Sequence, residues 1–313
     1  MKNFVLVGAA GYIAERHMRA IRETGNTIVA ATDQFDVMGR MDSFFPEAEF
    51  FLNEKEFETF VAQWQKSHVT PIDYTSICSP NYKHADHIQA ALKNQSFAIC
   101  EKPLVLYPEE LERIEQAEQT TGKKVFNILQ LRLHPTIIAL REKVKQAAPD
   151  KIFDIDLTYI TSRGKWYYKS WKGDPSKSGG VATNIGIHFF DMLQWIFGEV
   201  QHSVVHTYEA DKAAGFLQLK NARVRWFLSL DYNSIPQEAK DKGMRTYRSI
   251  TVENEEIEFS GGFTDLHTQS YQHILEGNGF GLQEAKPCIL LTHELRNSHP
   301  IGAKGDYHPF LKA

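Results

Sequence analysis

The sequence predicts a two-domain α/β protein. Residues 1–128 read as a doubly wound parallel sheet, and residues 129–313 as an α+β domain with a large, mainly antiparallel sheet. Three observations carry the prediction. The 313 residues suffice for two cores at about 150 residues per domain; short apolar runs alternate with helical spacing in the first part; and β-rich runs succeed one another in the second.

The first element is the apolar run 4–8, which ends in Gly8. Helical apolar spacing follows over 13–24, then a second buried-strand run over 27–32 closed by Asp33. This is a βαβ unit. The alternation continues through a helix near 54–67, strand 74–78, helix 83–93, strand 97–100, helix 108–121 and strand 124–129, with Pro, Gly or Asn at the joints. Beyond them, stretches at 152–161, 200–209, 213–219, 222–231 and 246–259 predict strands, with helices near 136–147, 186–197 and 265–276. The boundary falls within 125–135. No repeat, low-complexity tract or long linker appears, so the two domains are expected to pack around a cleft.

Composition narrows the function classes. Thirty-five basic and 39 acidic side chains leave a net charge of −4, so no global positive field exists to hold a nucleic-acid backbone or a membrane surface. Any anion must be bound locally. No run approaches the ~20 apolar residues of a membrane span, and the N-terminus lacks the pattern of a secretory leader. A cytoplasmic location is expected. Cys78, Cys100 and Cys288 form no C-x-x-C pair, and two of them end strand-like runs, which suggests reduced core thiols.

Gly8-Ala9-Ala10-Gly11-Tyr12-Ile13-Ala14 follows the first strand and opens the first helix. A tight turn there brings backbone N–H groups and a helix N-terminus against a pyrophosphate, and small residues let the backbone approach. The spacing is G-x-x-G-x-x-A rather than G-x-G-x-x-G, so a purely structural turn is the alternative. Asp33, at the end of the second strand, is placed to accept from a ribose diol and to repel a 2′-phosphate, which favours NAD over NADP. The nearby Arg40 weighs the other way.

Ser79-Pro80-Asn81 and Glu101-Lys102-Pro103 end the strands at 74–78 and 97–100, where loops face the ligand crevice of an open α/β sheet. Lys102 therefore stands near the expected chemistry. In the second domain, a glycine-rich turn leads into Asn184-Ile-Gly186-Ile-His188-Phe-Phe-Asp191. Asn184 and His188 share a helix face, and Asp191 lies one turn beyond His188. No third ligand is suitably spaced, so no metal site is assigned. The stretch Arg163-Gly-Lys165-Trp166-Tyr167-Tyr168-Lys169-Ser-Trp171-Lys172 interleaves cations with flat rings, as a phosphate, carboxylate or base site requires; a solvated basic loop is the alternative. Arg245 and Tyr247 share a strand face, while Arg248 points opposite.

With these motifs assembled, the chain resembles the glucose-fructose oxidoreductase / inositol dehydrogenase family. The resemblance rests on the glycine-rich turn, Glu101-Lys102-Pro103, and the Gly-Gly…Asn184-x-Gly186-x-His188 segment in that order. Within the family it is most similar to bacterial dehydrogenases of a UDP-sugar acid, through Gly8–Ala14, Asp42–Phe50, Arg163–Tyr167, Asn184–Asp191 and Gly262–Thr268. The resemblance implies a Rossmann domain with tightly held NAD, and a homotetramer. It also implies oxidation of UDP-N-acetyl-2-amino-2-deoxyglucuronate at its 3-hydroxyl for surface polysaccharide, the O-antigen of lipopolysaccharide. The expected cofactor contacts are Gly8, Ala10, Gly11, Tyr12, Ile13, Asp33, Ser79, Pro80, Asn81, His84, Glu101, Lys102 and Gln130. The expected substrate contacts are Lys102, Arg163, Lys165, Trp166, Tyr168, Lys172, Asn184, His188 and Arg245. Many relatives carry Asp where this chain has Asn184, and an amide is no carboxylate base. Proton removal is then pushed onto His188 or Lys102; the mechanism expected has His188 take the proton and Lys102 polarise the same oxygen. Another sugar or cyclitol oxidoreductase, or a non-catalytic NAD(H) sensor, is the alternative reading.

Overall fold

A computed structural model describes residues 1–36, 38–67, 69–257 and 265–311. The chain divides into two compact units, Met1–Gln130 with Thr264–Lys286, and Leu131–Phe263 with Pro287–Ala313.

In the first unit, strands β1 (Asn3–Val7), β2 (Thr27–Thr32), β3 (Glu49–Phe51), β4 (Tyr74–Ile77), β5 (Phe97–Cys100) and β6 (Val125–Asn127) form one parallel sheet. Its order is β3-β2-β1-β4-β5-β6, so the order reverses between β1 and β4. Both faces of β1 are buried, which is why its sequence is continuously apolar rather than alternating. Phe4 and Leu6 join a core with Met18 and Ile21 of helix α1 (Ala14–Glu23). Val5 and Val7 pack with Phe57 and Val61 of helix α3 (Glu54–Ser67). Each fully buried aliphatic side chain of this kind contributes about 1.5–3 kcal/mol. Helices α2 (Met38–Phe44), α4 (His84–Lys93) and α5 (Pro108–Thr121) complete the crossovers.

The segment Thr264–Lys286 belongs to this first unit, whereas the sequence reading placed everything after 128 in the second domain. The physical reason is apolar. Tyr271 and Ile274 of helix Leu266–Leu275 enter the same core as Phe4, Met18 and Ile21.

The second unit is built on a six-stranded mixed sheet of order β12-β11-β7-β10-β9-β8. Its strands are β7 (Phe153–Thr161), β8 (Val200–Tyr208), β9 (Lys212–Leu219), β10 (Ala222–Ser229), β11 (Thr246–Val252) and β12 (Glu255–Glu256). Among the described residues only the β7–β10 pairing of this sheet is parallel. Ile155, Leu157, Val224, Trp226 and Leu228 share a core with Ile137 and Leu140 of helix α6 (Pro135–Lys145) and with a helix over Ile187–Phe197. The expected strand 246–259 is interrupted by a turn at Glu253 and Asn254, whose φ values of 53° and 67° reverse the chain. Residues 258 and 259, with Gly262, Phe263 and Thr264 of the quoted motif, lie outside the described residues. Cys78, Cys100 and Cys288 are buried and form no disulfide among the described residues.

Candidate active site

The β1–α1 turn lies at the reversal of strand order, where open α/β sheets bind their ligands. Gly8 has φ +86°, and a Cβ there would meet the main chain of Cys78 and Ser79 at 2.6–2.8 Å. Glycine is thus demanded by the neighbouring β4 end as well as by any approaching phosphate. Helix α1 has Ile13 as its N-cap and no side-chain cap, so its first turn lacks the side-chain partner that Ser, Thr or Asp would supply, while the Ala14 N–H is met by the Gly11 carbonyl at 3.1 Å. Asp33 Oδ2 accepts from the Ala10 N–H at 2.9 Å, which ties the turn to the β2 end. Arg40 donates to the carbonyls of Ala9 and Gly11, each at 3.0 Å, and so braces the turn from the other side. Tyr12 stands in solvent at its tip.

The β4 and β5 ends are tied together by a side chain. His84 is fully buried, with Nδ1 2.7 Å from the Pro103 carbonyl and Nε2 2.9 Å from the Ser79 carbonyl. Ser79 Oγ lies 2.7 Å from His87 Nδ1, Pro80 precedes the short turn Asn81–Lys83, and Asn81 is buried. Lys102 is the one residue between 98 and 106 that is not buried. Gln130 Oε1 is buried with no hydrogen-bond partner among the described residues, an acceptor left over for a bound group. The uncapped helix, the small-residue turn and this orphaned oxygen fit a dinucleotide.

Glu101, expected beside the cofactor, turns its carboxylate inward. Oε1 accepts from His17 Nε2 and His267 Nε2, both at 2.9 Å, and Oε2 from the Lys102 N–H at 3.2 Å. Burial pushes this carboxyl up, but the two histidine hydrogen bonds outweigh it and hold it well below the usual carboxylate range. Burial also depresses the His17 pKa, opposed by Glu101. Sequence reasoning missed His17, and His267 appeared only inside a quoted motif.

In the second unit, a π-helical turn, Ala182–Gly186, runs into helix Ile187–Phe197. Such turns recur at functional sites. A Cβ on Gly186 would meet Leu228 Cδ1 at 2.6 Å, so glycine lets the turn press onto β10. Between 181 and 193 only Asn184 and His188 are partly exposed, which places them on one open face as the four-residue spacing predicts. Asn184 Nδ2 donates to Tyr167 OH at 2.7 Å. Burial raises the Tyr167 pKa, with the Asn184 bond opposing it. Asp191 is engaged elsewhere: both its oxygens accept from Arg132, at 2.6 and 3.0 Å, in a buried pair.

The basic-aromatic stretch forms a short helix, Lys165–Lys169, and a turn. Arg163, Lys165, Trp166 and Tyr168 are exposed, whereas Tyr167 is the buried anchor. Lys172 lies over the Trp166 ring at 5.4 Å. Arg245 donates to Ser162 Oγ at 3.2 Å, so the two predicted cationic clusters adjoin. Tyr247 stacks beside Phe310, while Arg248 lies over Tyr159, on the opposite sheet face as expected.

Residues 2–128 match the model of an oxidoreductase family's NAD-binding Rossmann fold, and residues 141–238 that family's C-terminal alpha/beta domain. The chain is similar to the WlbA (WbpB) dehydrogenase from Thermus thermophilus, solved with NAD and alpha-ketoglutarate. That match has 49% identity and a TM-score of 0.95, covering 99% of this chain and 100% of that one. The same enzyme solved with NAD and UDP-GlcNAcA gives 48% identity, with the same TM-score and coverage. Among curated proteins, inositol 2-dehydrogenase from Rhizobium meliloti is 30% identical over 154 residues, 46% of this chain and 43% of that one. The chain spans less than half the length of the curated relatives it first matches.

Proposed function

Because the chain belongs to the glucose-fructose oxidoreductase / inositol dehydrogenase (Gfo/Idh/MocA) family of oxidoreductases, we propose that it oxidises the 3-hydroxyl of UDP-N-acetyl-2-amino-2-deoxyglucuronate (UDP-GlcNAcA) to a ketone, with NAD. The observation that carries this reading is the end-to-end likeness to an enzyme solved with that sugar and that cofactor. Gly8, Ala10, Gly11, Ile13, Asp33, Ser79 and Gln130 would hold NAD, which supplies the hydride acceptor when bound.

The chain's own residues handle the proton and the charge. His188 takes the hydroxyl proton, since an imidazole with an ordinary pKa near 6.5 is matched to neutral pH. Lys102 donates to the same oxygen and stabilises the negative charge that develops on it. Asn184, fixed by Tyr167, is left to orient the sugar rather than to act as a base. Arg163, Lys165, Lys172 and Arg245 bind the diphosphate and the carboxylate, and Trp166 and Tyr168 offer flat faces to base or sugar.

A cytoplasmic homotetramer serving surface-polysaccharide synthesis completes the proposal. Its support is the family resemblance and three buried cysteines that form no disulfide. The test is to denature purified protein, identify the released nucleotide, and follow conversion of UDP-GlcNAcA by mass spectrometry. NAD or NADH and a 3-keto product are expected. NADP alone, or an unchanged sugar, would reject the assignment.

A further inference from the structure

The loop that offers Lys102 is held from inside by a buried polar network that the proposed chemistry does not use. Glu101 and His267 are at most 6% exposed, and His17 is fully buried. A carboxylate oxygen only accepts, so each Nε2 facing Glu101 Oε1 carries a proton. His17 Nδ1 lies 2.8 Å from Tyr271 OH and 3.1 Å from Ser76 Oγ, and these two hydroxyls are also hydrogen-bonded to each other. His267 Nδ1 is buried without a partner among the described residues, and a second proton there would be a donor with nothing to bond. One buried carboxylate is thus held by two buried ring N–H donors, and burial depresses the His17 pKa.

We propose that His17 and His267 are positioning residues: their paired Nε2–H donors fix the Glu101 carboxylate, whose second oxygen fixes the main chain of Lys102. The proposal rests on the reading of Lys102 as the group that polarises the substrate oxygen. Asn127 reinforces the frame, its Nδ2 donating to the Cys100 carbonyl at 2.9 Å and the Glu101 carbonyl at 3.2 Å. The main chain is thus pinned before and at Lys102. The frame also explains what the returning segment contributes to the first unit: Tyr271 sets the ring of His17, and His267 supplies the second donor. A misplacement of about 1 Å at a reacting group costs on the order of a hundredfold in rate.

The test compares holoenzyme carrying His267→Leu, which deletes the donor, with His267→Gln, whose amide can replace it. Leucine should lower kcat about ten- to a hundredfold while the NAD Kd changes less than about threefold, and glutamine should recover most of the loss. Hydrogen exchange at the Lys102 amide, read by mass spectrometry, should quicken in the leucine variant and not in the glutamine one. Unchanged kcat and exchange would overturn the proposal, as would parallel loss of NAD affinity or equal damage by both variants. Should the leucine variant not fold, nitrogen-15 spectra of histidine-labelled wild type decide. Two rings protonated at Nε2 that shift in Glu101→Gln are expected. A ring with no proton at Nε2, or a stoichiometric transition metal ligated by His17, Glu101 and His267, would refute it. Wild type that leaves UDP-GlcNAcA untouched, yet shows the expected exchange and spectra, would instead reject the proposed function and leave the frame standing.

Discussion

Replacing Gly8 by Ala tests whether the β1–α1 turn is shaped by its neighbour as well as by a ligand. Two costs add. A left-handed φ of +86° is unfavourable for a residue with a Cβ by about 1–2 kcal/mol. The new methyl would sit 2.6 Å from the Ser79 nitrogen and 2.7 Å from the Cys78 carbonyl carbon, both main-chain atoms that cannot swing aside. Overpacking of that kind costs about 1–3 kcal/mol. The sum, about 2–5 kcal/mol, corresponds to a fall in Tm of roughly 4–20 °C. Gly25→Ala is the internal control, because Gly25 has φ +74° but nothing within 4 Å of its Cβ position. It should lose only the first cost. Calorimetry of the two variants, with NAD titrated by fluorescence quenching, separates the contributions. Gly8→Ala should also bind NAD about tenfold more weakly, the equivalent of one lost backbone hydrogen bond. Equal stability and equal NAD affinity in the two variants would refute the close-approach argument.

Asp191→Ala would strand the buried Arg132 guanidinium and should destabilise the protein by about 3–5 kcal/mol in denaturant titration; a loss below about 1 kcal/mol would contradict a charged, buried pair. Adding Arg132→Met to it should recover part of that loss. Glu54 titrates at about 2 against an ordinary 4.5, held down chiefly by its hydrogen bond from His87. Its folded pKa is depressed, so its contribution is present above pH 4.5 and is lost as pH falls toward 2. Glu54→Gln should therefore flatten the acid limb of stability against pH, and an unchanged limb would place the acid sensitivity elsewhere. UDP-N-acetylglucosamine, whose sugar lacks the carboxylate, should show a kcat/KM roughly ten- to a hundredfold below that of the uronate, the worth of one charge-assisted contact of about 1.5–3 kcal/mol. Equal values would remove the carboxylate-reading role of the cations near Arg163 and Arg245.

Much of this was legible in the sequence wherever a local period or turn chemistry decides the outcome. The buried run 4–7 and the glycines at 8 and 11 gave away the first βαβ unit, because a strand covered on both faces leaves a continuous apolar stretch. Asn184 and His188 revealed their common face through spacing alone, and the π-helical turn did not destroy it. What stayed hidden depends on long-range packing. His17 reads as one polar residue on an amphipathic helix, and nothing local says that Glu101 and a histidine near the chain's far end will meet it. The return of the segment around Tyr271 is invisible for the same reason, since its helical period is indifferent to which core it joins. Pro287, inside helix Leu282–Asn297, reads as a breaker and concealed that helix. Asp191 has the right spacing from His188, but the demand of a buried Arg132 for a bidentate partner claims its carboxylate.

The most direct measurement is single-turnover NADH formation from UDP-GlcNAcA, followed in wild type, Lys102→Met and His188→Asn protein saturated with NAD. One equivalent of NADH should appear per active site in wild type, and each variant should be slower by about a hundredfold or more, the usual worth of a general acid–base group. Wild-type rates in both variants would contradict the assignment of the proton to the imidazole and of the oxygen to the ammonium.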